Sequence, residues 1–106
     1  MKKKSIDHTQ LLLLKLLSTE DMYGYRIILE LARRSSNVFE MKEGTLYPVL
    51  HGMEREGYVE AYEKAAPTGR MRKYYHLTRA GRAALTEEEK AWQEYSGAVN
   101  AVLHFA

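Results

Sequence analysis

Four cations, Lys64, Arg70, Arg72 and Lys73, fall in a stretch that contains no acidic residue. Ammonium and guanidinium groups crowded in this way suit one task above others, the neutralisation of a polyanion such as a phosphate backbone. Just upstream runs Glu43-Gly44-Thr45-Leu46-Tyr47-Pro48-Val49-Leu50-His51-Gly52-Met53-Glu54-Arg55-Glu56-Gly57. Leu46, Val49, Leu50 and Met53 recur at i, i+3, i+4 and i+7, so they share one face of a short helix and belong to a core. Thr45, Tyr47, His51 and Arg55 fall outside that face and are left for solvent or a partner. A hydroxyl, a phenol and an imidazole on the open side of a short helix, followed by a basic stretch, suit a helix that reads DNA.

Other chemistry finds little support. Without cysteine there is no disulfide framework, no Cys-based zinc site and no thiol catalysis. His8, His51, His76 and His104 show no i, i+4 pairing, so no metal is expected, and no cofactor. Glu87-Glu88-Glu89 reads as a solvated helix face rather than a catalytic carboxylate pair. There is no glycine-rich phosphate loop and no nucleophile elbow, and an enzyme is not expected.

The bulk numbers agree with a small soluble domain. At 106 residues the chain has room for one domain that buries about 65% of its unfolded surface. A net charge of +2 would not by itself suggest nucleic acid. Its distribution does, because cations gather from Lys64 to Lys73 and acids from Glu87 to Glu94. The longest apolar run, Leu11 to Leu14, is far too short to span a bilayer. Met1 to Ser5 is basic but lacks the apolar region of a signal peptide, so no membrane is expected and the expected compartment is the cytoplasm.

The elements that must position these groups follow in order. Lys2 to Lys4 form a charged start. Asp7, three before Gln10, resembles a capping box for a first helix through Leu17, with Leu12, Leu13, Leu16 and Leu17 as its stripe and Leu11 and Leu14 broadening it. A polar loop, Ser18 to Asp21, leads to a second helix from about Met22 to Ser35. Its buried face is expected at Tyr25, Ile28, Leu29 and Ala32, its wet face at Arg26, Glu30, Arg33 and Arg34. Gly24 in its first turn permits close approach by another element. After a short link comes the reading helix, with Pro48 in its early turns and Gly57 as a left-handed stop. Tyr58 to Glu63 and Met71 to Leu77 alternate as strands, and the Pro67 to Gly69 region turns between them. A third helix followed by a basic-tipped hairpin is a winged helix-turn-helix, whose wing lays its cations against phosphates.

Thr78 caps a last helix from Arg79 to near Phe105. Leu85, Trp92, Val99 and Ala106 repeat every seven residues, as do Glu88, Tyr95 and Val102, a heptad-like pattern with one acidic interruption. So long a helix exceeds what a small domain can cover, and a homodimer paired through Leu85, Trp92, Tyr95, Val99 and Val102 is expected. The fold class is thus mainly α with a small β-hairpin. Residues 1–78 form a winged helix-turn-helix and residues 79–106 a dimerisation helix, in one compact unit.

Tyr23-Gly24-Tyr25, Glu43 to Pro48, Glu56-Gly57-Tyr58-Val59, Arg72-Lys73-Tyr74-Tyr75-His76-Leu77-Thr78 and Gly81 together resemble the PadR family of transcriptional regulators, in its short branch with a single C-terminal helix. The resemblance implies a dimeric repressor released by a small molecule or stress signal, with the third helix and wing on double-stranded DNA. On this reading the DNA-binding residues are Thr45, Tyr47, His51, Lys64, Arg70, Arg72 and Lys73. Trp92, the sole tryptophan, is an interface anchor or, with Tyr95, a wall for a planar aromatic inducer. Two-fold symmetry implies a palindromic operator with half-sites about one turn (~10 bp) or a multiple apart. The competing class is the same fold acting as a protein-interaction module.

Overall fold

A computed structural model describes residues 8–106 of the chain. The expected Asp7 cap and the Lys2 to Lys4 start lie outside the described residues. The order of elements is α1 (Thr9–Thr19), β1 (Met22–Tyr23), α2 (Gly24–Arg34), α3 (Glu43–Arg55), β2 (Val59–Ala65), β3 (Met71–Leu77) and α4 (Arg79–Leu103). This is the expected winged helix-turn-helix with a long last helix and one addition. Met22 and Tyr23 do not begin the second helix; they pair antiparallel with Tyr75 and Tyr74 and make a three-stranded sheet in the order β1-β3-β2.

On α1, Leu13, Leu14, Leu16 and Leu17 are buried, while Leu11 and Leu12 are only partly covered. The core is completed by Met22, Ile27, Leu31, Leu46, Leu50, Met53, Val59, Tyr75 and Leu77. Each fully buried leucine or isoleucine contributes about 1.5–3 kcal/mol relative to exposure. Tyr75 is the bulkiest fully buried side chain, and its hydroxyl has no hydrogen-bond partner among the described residues.

The α2 face differs from expectation. Tyr25 and Leu29 are exposed, and the buried set is Gly24, Ile27, Glu30 and Leu31. The helix is rotated because Gly24 must face α3, and Gly24, Ile27, Ile28 and Leu31 are its i, i+3, i+4 and i+7 companions. Glu30 tolerates burial because arginines surround it. Its carboxylate lies 2.9 Å from Arg33 Nη2, 3.0 Å from Arg34 Nε and 3.7 Å from Arg26 Nε. The hydrogen bonds from Arg33 and Arg34 hold its carboxyl down to about 2. These three α2 arginines are thereby committed within the chain.

Gly57, at φ 81, ends α3 in the left-handed conformation that costs glycine nothing. Thr78 then joins three elements. Its hydroxyl donates to the Gly57 carbonyl at 2.6 Å and accepts from Gly81 N at 3.0 Å, while its own N–H donates to the Tyr58 carbonyl at 3.0 Å. The start of α4 is therefore pinned to the end of α3, as close as backbone allows. A Cβ at Gly81 would lie 2.2 Å from the Tyr58 carbonyl oxygen and 2.5 Å from Leu77 Cδ1.

The first turns of α4 lie on α1, where Gln10 Nε2 donates to Glu88 at 2.6 Å and Lys15 pairs with Glu89 at 3.7 Å. Leu85, expected at a dimer seam, is instead part of this chain's own core. Trp92, Tyr95, Val99 and Val102 remain exposed beyond it.

Gly81 and Gly97 lie in the same helix and predict opposite outcomes. Gly81→Ala drives a methyl into backbone and is expected to lower stability by on the order of 1–2 kcal/mol, net of the better helix propensity. At Gly97 nothing lies within 4 Å of an added Cβ, and Gly97→Ala is expected to raise stability by up to about 1 kcal/mol. Urea denaturation of the two variants against the parent chain measures both signs.

Candidate nucleic-acid interface

Besides its core residues Leu46, Leu50 and Met53, α3 is seated by a close contact with α2. A Cβ at Gly24 would lie 2.1 Å from Tyr47 Oη and 2.7 Å from its Cζ, so the Tyr47 ring rests directly on the Gly24 backbone. The close approach expected at Gly24 is made by Tyr47. The ring is half-buried, and burial, followed by the nearby Glu43 carboxylate, raises its hydroxyl above the usual tyrosine value. Tyr47 therefore stays a neutral donor whose first task is packing. Thr45 and His51 are exposed on the same helix, with the His51 ring 6.4 Å from that of Tyr47. Structure thus brings Thr45, Tyr47 and His51 to one element, with Tyr47 partly committed to the fold.

The four basic residues of the wing are spread over three directions. Lys64 and Arg72 stand opposite each other in the register of β2 and β3. They share the outer face of the sheet with Tyr62, Tyr74 and His76. Arg70 is exposed at the turn, where Gly69 adopts φ 91 and Ala66 N donates to the Arg70 carbonyl at 2.7 Å. Lys73 points the other way, with its Nζ 5.8 Å from the centre of the Tyr75 ring. None of the four is in an ion pair with another described residue, unlike Arg26, Arg33 and Arg34 of α2. Uncommitted cations are the ones a phosphate backbone can recruit at least cost.

Tyr23, Tyr62, Tyr74 and Asp21 also belong to this surface, although no sequence pattern marks them as DNA contacts. Tyr23 and Tyr74 meet edge to face at 5.5 Å, and Tyr74 and Tyr62 lie nearly parallel at 5.7 Å. Arg72 Cζ sits 4.2 Å over the Tyr23 ring and Lys64 Nζ 5.3 Å over that of Tyr74. Asp21 closes the row, accepting from the Tyr62 hydroxyl at 2.6 Å with its other oxygen 2.9 Å from His76 Nδ1. Burial alone would raise the Asp21 carboxyl, but its hydrogen bonds with Tyr62 and His76 outweigh that and hold it below its ordinary value. In turn the bond to Asp21, then desolvation, pushes the Tyr62 hydroxyl up to about 12. Strand alternation places Tyr62 and Tyr74 on a common face; a two-residue β1 gives no periodicity from which to place Tyr23 or Asp21.

A separate groove lies between α1 and α4. It has a volume of about 300 Å³ and is walled by Leu11, Leu12, Phe39 and Trp92, with His8, Lys15 and Glu89 at its edges. Trp92 meets His8 edge to face at 4.8 Å and leans against Tyr95 at 6.2 Å.

The features just described coincide with a known family. The transcriptional regulator PadR-like family matches residues 13–87, from α1 through the wing into α4. An uncharacterized protein of Lysinibacillus sphaericus is 40% identical over 87 residues, which is 82% of this chain and 80% of that protein. The transcriptional regulator Rv3488 of Mycobacterium tuberculosis is 39% identical over 74 residues, covering 70% of this chain and 65% of that protein. Among solved structures, the PadR-like transcriptional regulator BC4206 of Bacillus cereus superposes with a TM-score of 0.83 at 32% identity, covering 93% of this chain and 94% of that one. A PadR family transcription regulator of Clostridium difficile superposes with a TM-score of 0.79 at 30% identity, covering 92% of this chain and 99% of that one. The seat of Tyr47 on Gly24, the wing and the Thr78 joint all fall inside the matched region, and the chain belongs to the PadR-like family of transcriptional regulators.

Proposed function

We propose that the chain is a cytoplasmic homodimeric repressor that binds a palindromic operator and is released by a planar aromatic molecule. The observation that carries the DNA reading is the set of wing cations that form no ion pair with another described residue, together with the exposed Thr45 and His51 of α3. In this reading α3 enters the major groove with Thr45, Tyr47 and His51, and Lys64, Arg70, Arg72 and Lys73 meet phosphates. Residues 1–78 do this work. Residues 79–106 pair two copies, which the exposed stripe of Trp92, Tyr95, Val99 and Val102 supports. An apolar stripe of this kind on one helix is the usual signature of a face awaiting a partner.

The groove beside Trp92 supports the inducer. Its apolar walls and indole suit a flat aromatic molecule. Among the described residues no helix is long and apolar enough to cross a membrane.

Duplex binding should weaken steeply with salt, and Arg70→Ala and Arg72→Ala should each lower the slope of log affinity against log salt by about 0.9. Titration at several salt concentrations measures this. Binding that ignores both salt and the two substitutions would favour a protein-interaction module instead. For the inducer, a panel of planar cationic compounds should give saturable quenching of Trp92 fluorescence with at least one member; a flat response from every member would remove the ligand pocket.

A further inference from the structure

Tyr23 lies outside the wing, yet a wing arginine rests on it. The register places Tyr23, Tyr74 and Tyr62 in one row across β1, β3 and β2, with Arg72 and Lys64 two positions nearer the tip. These residues share the outer face of the sheet by strand alternation. The guanidinium carbon of Arg72 is 4.2 Å from the centre of the Tyr23 ring, well within the reach of a cation–π contact. The side chain of Arg72 makes no hydrogen bond or ion pair with another described residue, so among the described residues its N–H donors are not taken up.

The row is held at both ends. Tyr62 is tied through its hydroxyl to Asp21, and Tyr23 is fixed by pairing with Tyr74 and by the start of α2 at Gly24. The Arg72 contact therefore ties the hairpin to the body of the domain. An unrestrained arginine loses rotamer freedom when it meets a phosphate; one already seated on a ring has lost part of it beforehand.

The geometry points to Tyr23 as a positioning residue for DNA binding. It presets the Arg72 guanidinium so that the wing meets the phosphate backbone of duplex DNA with a formed contact. This rests on the reading of Arg72 as a phosphate contact.

The probe is mixed-sequence duplex DNA, because a phosphate contact acts without regard to base sequence. Full-length chains carrying Tyr23→Leu, Tyr23→Phe, Arg72→Ala and the Tyr23→Leu/Arg72→Ala pair are titrated across salt concentrations. Tyr23→Leu should weaken binding about two- to fivefold, and Tyr23→Phe, which keeps the ring face, should bind like the parent. In the Arg72→Ala background Tyr23→Leu should add nothing. A loss that persists undiminished without Arg72 would mark a general structural role and overturn the proposal. So would a Tyr23→Phe variant as weak as Tyr23→Leu. An Arg72→Ala variant that binds like a salt-dependent parent would overturn the role of Tyr23 while leaving the DNA reading intact. A parent chain with no salt-dependent binding to duplex DNA would overturn both.

Discussion

Tyr47 can lie where it does only because residue 24 has no Cβ. With any other side chain there, its Cβ would lie 2.1 Å from the Tyr47 hydroxyl oxygen and 2.7 Å from the ring carbon that bears it, well inside contact distance. The requirement turns Gly24 toward α3, and the rest of α2 must follow. Ile27 and Leu31 enter the core, Tyr25 and Leu29 go to solvent, and Glu30 is carried inward together with the neighbouring arginines of its own helix that neutralise it, Arg26, Arg33 and Arg34. Just before residue 24, Met22 and Tyr23 pair with β3. One missing methyl thus seats α3 against α2 and sets which face of α2 is buried.

A second joint carries that orientation onward. Thr78 bonds to Gly57 and Gly81, and Gly81 lies against the Tyr58 carbonyl, so the end of α3, the base of the wing and the start of α4 are one rigid corner. The direction of α4 is therefore coupled to that of α3. If two copies pair through α4, the spacing of their reading helices is set at this corner rather than by any flexible linker. The groove beside Trp92 lies where α4 leaves α1, and Phe39, from the link into α3, forms one of its walls. A molecule filling that groove would touch both α4 and the segment that leads into α3.

Much of this was legible in the sequence, for reasons that differ by element. The periodicity of Leu46, Val49, Leu50 and Met53, the stop at Gly57 and the alternation of Met71 to Leu77 are local patterns, and they placed α3 and β3 correctly. The face of α2 was not legible. Tyr25, Ile28, Leu29 and Ala32 form as regular a stripe as the true one, and the deciding contact comes from Tyr47, which is remote in sequence. Leu85 misled in a similar way, because a heptad position looks the same whether its own core or a second copy covers it. The Tyr23, Tyr74 and Tyr62 row needed a strand of two residues, too short for any period. The Arg72 and Lys64 contacts depend on that row, so the basic stretch could be recognised as cationic but not as ordered.

Selection of bound sequences from a pool of random duplex DNA tests the central claim most directly, that α3 and the wing form a paired reader of DNA. The account predicts enrichment of two half-sites related by two-fold symmetry, their centres about one helical turn or a multiple apart (~10 bp per turn). A pool that stays unenriched, or that yields a single asymmetric site, would contradict it.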